Sequence, residues 1–142
     1  MKATAVLVGG EHYRPSEDEE FMNERQREYF RQKLLAWKDE IHRESRETLS
    51  HLQTETENHS DLVDRASSET DRALELRTRD RQRKLISKID DALRRIEDGS
   101  YGYCEETGEP IGIGRLDARP TATLSLEAQE RHERQERVHR DE

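Results

Sequence analysis

Asp61 and Asp64 stand three residues apart, at the end of the turn-rich stretch Asn58-His59-Ser60-Asp61. This spacing sets both carboxylates on one side of a turn or of a starting helix. Such a pair can hold a metal ion for catalysis. It can also cap a helix, because an Asp accepts from the free amides of a first turn and suits its positive dipole end. The other residue with chemical potential is Cys104, the one cysteine of the chain. A single thiol excludes an internal disulfide and any multi-cysteine metal site. It reads as a small, partly buried apolar residue. No resolving cysteine is present for a redox sensor, and His132 and His139 are too few to rebuild a metal site. The chain offers no Ser-His or Cys-His arrangement and no phosphate-cradling Gly loop, so an enzyme is the weakest reading.

Two long elements must position these residues. Asn23 caps a helix start, and no Gly or Pro follows until Asn58. Phe30, Leu34, Trp37 and Ile41 step by four, three and four, a helical seam. After the break at 58–61 a second Gly- and Pro-free run reaches Asp98. Leu85, Ile89, Ala92 and Ile96 repeat the same steps there. Two such helices joined by a short polar turn predict an antiparallel coiled-coil hairpin. Asp80–Lys84 and Glu75–Arg79 are suited to i,i+4 pairing. The apolar seam is dense at Phe30–Ile41 and Leu85–Ile96 and sparse towards the turn.

The flanks are shorter. Residues 1–15 read as a flexible N-terminus, and Ser16 with Glu19 as a capping box that opens a helical part of the globular base over 16–32. The hairpin takes 33–98 with its tip at 58–66. Gly99 suits a left-handed helix end. Tyr101–Cys104 and Ile111–Ile113 look like short strands within a segment 99–126. Ser125 can cap a C-terminal helix over 127–142. The expected fold is mainly α: a long hairpin on a small globular base.

Composition agrees. Of 142 residues, 41% are charged and 30% apolar, with a net charge of −8. An average domain has about 25% charged and 45–50% apolar residues. A large compact core is therefore not expected, and long helices with a narrow buried stripe are. No run approaches the ~20 apolar residues of a membrane span, and the N-terminal run is too short for a signal peptide. The expected compartment is the cytoplasm. The acidic balance disfavours direct DNA binding, but not a protein partner with a basic cavity.

Three segments together resemble the DksA/TraR family of bacterial transcription factors. They are NHSDLVDRA at 58–66, LELRTRDRQRKLISKI at 74–89 and YGYCEETGEPIGIGRLDARP at 101–120. The first carries an Asp-x-x-Asp-x-Ala tip as Asp61, Asp64 and Ala66. The resemblance implies a monomeric regulator that binds core or holoenzyme RNA polymerase through its secondary channel. Its tip would lie near the catalytic centre. It would modulate initiation at rRNA and amino-acid promoters together with ppGpp, with no sequence-specific DNA binding of its own. The family's alarmone-binding positions fall on Arg81, Leu85, Lys88 and Arg119. Its four zinc-ligand positions fall on Cys104, Thr107, Ser125 and Ala128, three of which carry no thiolate. A structural zinc site needs four N or S ligands, so no zinc is expected. The alternatives are a Gre-like transcript-cleavage or elongation factor, whose acidic tip holds magnesium, and a generic coiled-coil adaptor.

Overall fold

The computed structural model describes the backbone of residues 6–8, 11–58 and 62–141 and the side chains of 12–51, 53–54 and 69–140. Its elements are β1 (Val6–Val8), β2 (Glu11–Tyr13), α1 (Glu24–Asn58), α2 (Leu62–Asp98), α3 (Ile113–Ala118) and α4 (Leu126–Asp141). The fold is mainly α, as expected, with one small β ribbon. The chain divides into two compact units: Met1–Leu34 with Asp91–Glu142, and Leu35–Asp90.

The Leu35–Asp90 unit holds the long arms of α1 and α2. Lys38 Nζ donates to Asp90 Oδ1 at 2.6 Å, Ser45 Oγ to Gln82 Oε1 at 2.8 Å, and His51 Nδ1 meets Glu75 Oε1 at 2.9 Å. Numbers rise along one helix as they fall along the other, so the arms are antiparallel. Ile41 and Ile89 are buried between them, whereas Leu49, Leu74 and Leu76 are exposed. The seam thins as the sequence predicts, and polar pairs replace apolar ones across it. Glu75 pairs with the opposite arm rather than with Arg79, and Asp80 lies 3.9 Å from Arg83, three residues on, rather than pairing with Lys84. α1 ends at Asn58 and α2 begins at Leu62, and residues 59–61 of the expected turn lie outside the described residues.

The other unit differs from expectation in three places. Within 1–15, β1 and β2 pair antiparallel, with Val6 opposite Tyr13 and Val8 opposite Glu11. The sequence signal was there: Gly-Gly separates the Val-Leu-Val run from Glu-His-Tyr, a two-residue hairpin spacing. Tyr13 anchors the ribbon. Its hydroxyl donates to Glu19 Oε2 at 2.6 Å, and the Arg25 guanidinium lies 4.2 Å from its ring centroid. Next, the capping box at Ser16 closes a turn, not a helix. Glu19 Oε1 accepts from the Ser16 N–H at 3.0 Å, but the Ser16 hydroxyl accepts from Asp18. The helix waits for Asn23, whose Oδ1 accepts from the Gln26 N–H at 2.9 Å. Finally, the two strands expected around residues 105–109 reduce to a single bridge, Tyr103 to Pro110, and Ile113 opens α3.

The core of this unit is aromatic. Tyr13, Tyr29, Phe30 and Tyr101 form a chain of ring contacts with centroids 6.2, 5.0 and 5.6 Å apart. Leu34, Ala92, Ile96, Ile111, Ile113 and Leu116 complete it. Tyr103 and Leu126 are exposed. At Gly102, φ is +92°, a conformation that strains any L side chain, and an added Cβ would also crowd Met22 Cγ at 3.1 Å.

Burial disfavours tyrosinate. Burial, then the hydrogen bond to Glu19, pushes Tyr13 up to about 12. Burial also raises Tyr29, with Asp117 adding to it, and burial raises Tyr101. Stability tied to these protonated hydroxyls is whole below about pH 10, the ordinary tyrosine value, and is lost as pH rises towards 12. At about pH 11 the native protein should show less than roughly half the tyrosinate absorbance of the denatured chain. Its melting temperature should fall across the same window. Equal absorbance in both states would contradict the buried tyrosine core.

Candidate functional site

The tip is described only in outline. Asp61 lies outside the described residues. Asp64 and Ala66 belong to the first turns of α2, which starts at Leu62, but their side chains are outside the description. The backbone alone makes Asp64 the third residue of a long helix. A carboxylate there meets the positive end of the helix dipole.

Arg81, Leu85 and Lys88 step by four and three along α2 and so share one face. Arg81 and Lys88 are exposed and Leu85 is half-buried. Arg81 Nη2 donates to Thr78 Oγ1 at 3.4 Å. These cations sit on a solvated helix face.

Arg119 is also exposed, but its backbone is held on every side. Its N–H donates to Arg115 O at 2.8 Å, and its carbonyl accepts from Ala122 at 3.0 Å. The following Pro120 carbonyl accepts from the buried Tyr101 hydroxyl at 2.8 Å. Two residues before Arg119, Asp117 Oδ1 accepts from the Tyr29 hydroxyl at 2.7 Å. The Lys33 ammonium donates to the Asp117 carbonyl at 2.9 Å and also to its carboxylate. Lys33 lies with its side chain 3% exposed, 5.6 Å from the Tyr29 ring centroid. This cluster is not legible in the sequence. Lys33 comes between seam positions of a charged helix, and its partner lies 84 residues away. No local pattern announces such a pair.

The positions that the family resemblance aligns with zinc ligands are gathered in one place. The Cys104 N–H donates to Glu109 O at 2.8 Å, and the Cys104 carbonyl accepts from Gly108 at 2.9 Å. Glu105 N–H donates to Thr123 O at 2.9 Å and ties this turn to the stretch before α4. There Ser125 Oγ accepts from the Ala128 N–H at 3.2 Å, the cap foreseen from sequence, and Ala128 is fully buried. Cys104 itself is buried. Burial works to raise its thiol. Hydrogen bonds from the Thr107 hydroxyl and from the Ser125, Thr107 and Glu106 amides outweigh this and lower it to about 6. The donor set at these positions is one thiol, two hydroxyls and a methyl, which does not fit a four-thiolate ligand set. Among the described residues no three His, Cys, Asp or Glu side chains group as metal ligands.

A depressed thiol makes its stabilising contribution above the ordinary thiol value. That contribution is lost as pH falls through about 6. In chelator-treated protein, thiolate absorbance should rise with a midpoint near 6. Thr107→Val keeps the shape and removes the hydroxyl donor. It should move the midpoint upward by about one unit. An unmoved midpoint would show that the hydroxyl is not among the causes.

Comparison with known proteins bears on both halves of the chain. Residues 26–96 match the family model described as DnaK suppressor protein DksA, N-terminal domain. Residues 99–134 match the model described as Prokaryotic dksA/traR C4-type zinc finger. That second match corrects the expectation of no zinc, because the family it names is a zinc-binding one. Cys104 alone keeps a thiolate among the four aligned positions, so no chemistry is derived through a metal here. The chain is 82% identical over 141 residues to the RNA polymerase-binding transcription factor DksA of Caulobacter vibrioides, covering 99% of each. It is 48% identical to the protein of that name from Escherichia coli K12, over 86% of this chain and 81% of the other. The solved structure of transcription factor DksA2 from Pseudomonas aeruginosa matches with a TM-score of 0.77 at 46% identity, covering 82% of this chain and 90% of that one. On two family models and near-complete coverage at high identity, the chain belongs to the DksA/TraR family.

Proposed function

We propose that this chain binds RNA polymerase and regulates transcription initiation. The likeness to the Caulobacter protein, 82% identical across 99% of both chains, carries this reading. Its arms also suit a binding rod. They are long, antiparallel and poor in buried apolar residues away from Ile41 and Ile89. A net charge of −8 favours a basic protein cavity over duplex DNA. The chain acts without catalysis of its own. It enters the secondary channel and brings Asp61, Asp64 and Ala66 near the catalytic centre. There the negative tip disturbs the mobile elements that hold a promoter complex. ppGpp strengthens the effect through Lys88 and Arg119, whose charges suit pyrophosphate, with Arg81 and Leu85 beside Lys88 on α2.

The reading is tested with purified polymerase. The protein should be retained by core enzyme and should shorten open-complex lifetimes on a ribosomal RNA promoter. Asp64→Asn keeps shape and much of the capping ability, which contributes about 1 kcal/mol, but removes the charge. It should bind polymerase with nearly unchanged affinity and lose much of the effect on lifetimes. The Asp61→Asn/Asp64→Asn variant should lose nearly all of it. Full activity in the double variant would reduce the tip to a cap.

The alarmone contribution has its own test. A charge-assisted hydrogen bond contributes about 1.5–3 kcal/mol. Lys88→Ala or Arg119→Ala should therefore raise the half-effective ppGpp concentration by roughly tenfold or more. Polymerase binding without ppGpp should be spared. An unchanged ppGpp response in the double variant refutes this part of the reading.

A further inference from the structure

We infer that Lys33 is a positioning residue for Arg119, and thereby sets the response to a polyphosphate ligand. The inference rests on the reading of Arg119 as a phosphate contact. Arg119 is exposed and touches the ligand by a long, rotatable side chain. What the fold controls is its backbone and the charge around it, and Lys33 acts on both.

The backbone effect is direct. Lys33 reaches from α1 to the end of α3 and donates to the Asp117 main-chain carbonyl at 2.9 Å. That carbonyl lies two residues before Arg119. The Tyr101 hydroxyl on the Pro120 carbonyl holds the residue after it. Arg119 is thus suspended between two buried donors, one on each side. A buried ammonium is costly without a partner, so Lys33 has nowhere else to bond. The pin is correspondingly stiff.

The electrostatic effect concerns Asp117. Its side chain is 14% exposed, and it carries a negative charge two residues from the cation that would meet a phosphate. Left uncovered, that carboxylate would repel the ligand and compete for the Arg119 guanidinium. Lys33 neutralises it, while Tyr29 fills a second bond on the same oxygen. The ammonium thus frees Arg119 to act as a net positive group.

The test compares ppGpp dose responses in promoter-complex lifetime assays with the full-length protein and polymerase. Lys33→Met removes the charge and keeps the stem over Tyr29. It should raise the half-effective ppGpp concentration about three- to tenfold. Polymerase affinity without ppGpp should not change. Lys33→Gln, which keeps a donor for the Asp117 carbonyl, is the parallel variant should Lys33→Met fold poorly. It should shift the response in the same direction. Adding Asp117→Asn to Lys33→Met removes the uncovered charge and should restore much of the response. Since Asp117→Asn also relieves a buried uncompensated carboxylate, the melting temperature is followed beside the dose response, and a ppGpp shift in Lys33→Met at unchanged polymerase affinity is what a merely structural lysine would not give. Lys33→Met should also add nothing to Arg119→Ala. A normal dose response in Lys33→Met and Lys33→Gln, with Arg119→Ala impaired, overturns the positioning role. A normal response in Arg119→Ala overturns instead the reading on which it rests, and the inference falls with it.

Discussion

Apolar residues make up 30% of this chain, too few for a continuous core along its whole length. They are spent in one region. Of the largest fully buried side chains, Tyr29, Phe30, Leu34, Tyr101, Leu116 and Pro120 all belong to the unit built from the chain ends, and Ile89 to the arms. Aromatic rings supply much of the buried area, and three of the four in the ring chain are tyrosines. A tyrosine in a core brings a hydroxyl that must be bonded. Glu19, Asp117 and the Pro120 carbonyl are the acceptors. The polar ties of this unit follow from the use of tyrosine where another chain would use leucine.

Those ties determine what the loops can present. Asp117 is drawn in by Tyr29, and once inside it requires a cation, which Lys33 supplies. The end of α3 is fixed as a result, and Arg119 leaves the surface from a backbone with little freedom. The turn around Cys104 obeys the same economy. Main-chain groups of residues 104–109 and 123 bond one another, and several amides converge on one sulfur. In both places a short irregular segment is ordered by bonds from its own backbone and from one or two buried polar side chains.

The arms were legible because their signal is periodic. Steps of four and three, with no Gly or Pro between Asn23 and Asn58, leave little else for the chain to form. The Asn23 and Ser125 caps and the left-handed Gly99 were likewise written in local residue types. The ribbon at Val6–Tyr13 was missed although Gly9-Gly10 marked it, because a run of four apolar residues, 5–8, is too short to weigh against a polar context. Lys33, Tyr29 and Asp117 were missed for a different reason. Their meaning arises only when residues 84 and 88 positions apart are brought together. Of the candidate site, the tip and the α2 cations were legible only through the family likeness, since charges on a charged helix carry no distinction of their own.

The two units respond differently to substitution for the same physical reason. Ion pairs on the long arms, such as Asp39 with Arg43 and Asp80 with Arg83, join exposed partners one turn apart. Pairs of that kind contribute about 0.3–0.5 kcal/mol, and salt screens them. Exposed positions of the arms can therefore be recoded with small effects on folding, and their identities are free to serve a partner's surface. The unit of the chain ends has less latitude at its core. There Lys33 and the side chains of Tyr13, Tyr29 and Tyr101 are buried, and removing one leaves its partner unsatisfied at a cost of about 1–3 kcal/mol or more. A change in the arms is thus read mainly in binding. A change at Lys33, Asp117 or Tyr101 is read in stability and in the placement of Arg119 together, and only a measurement that separates the two assigns it a role.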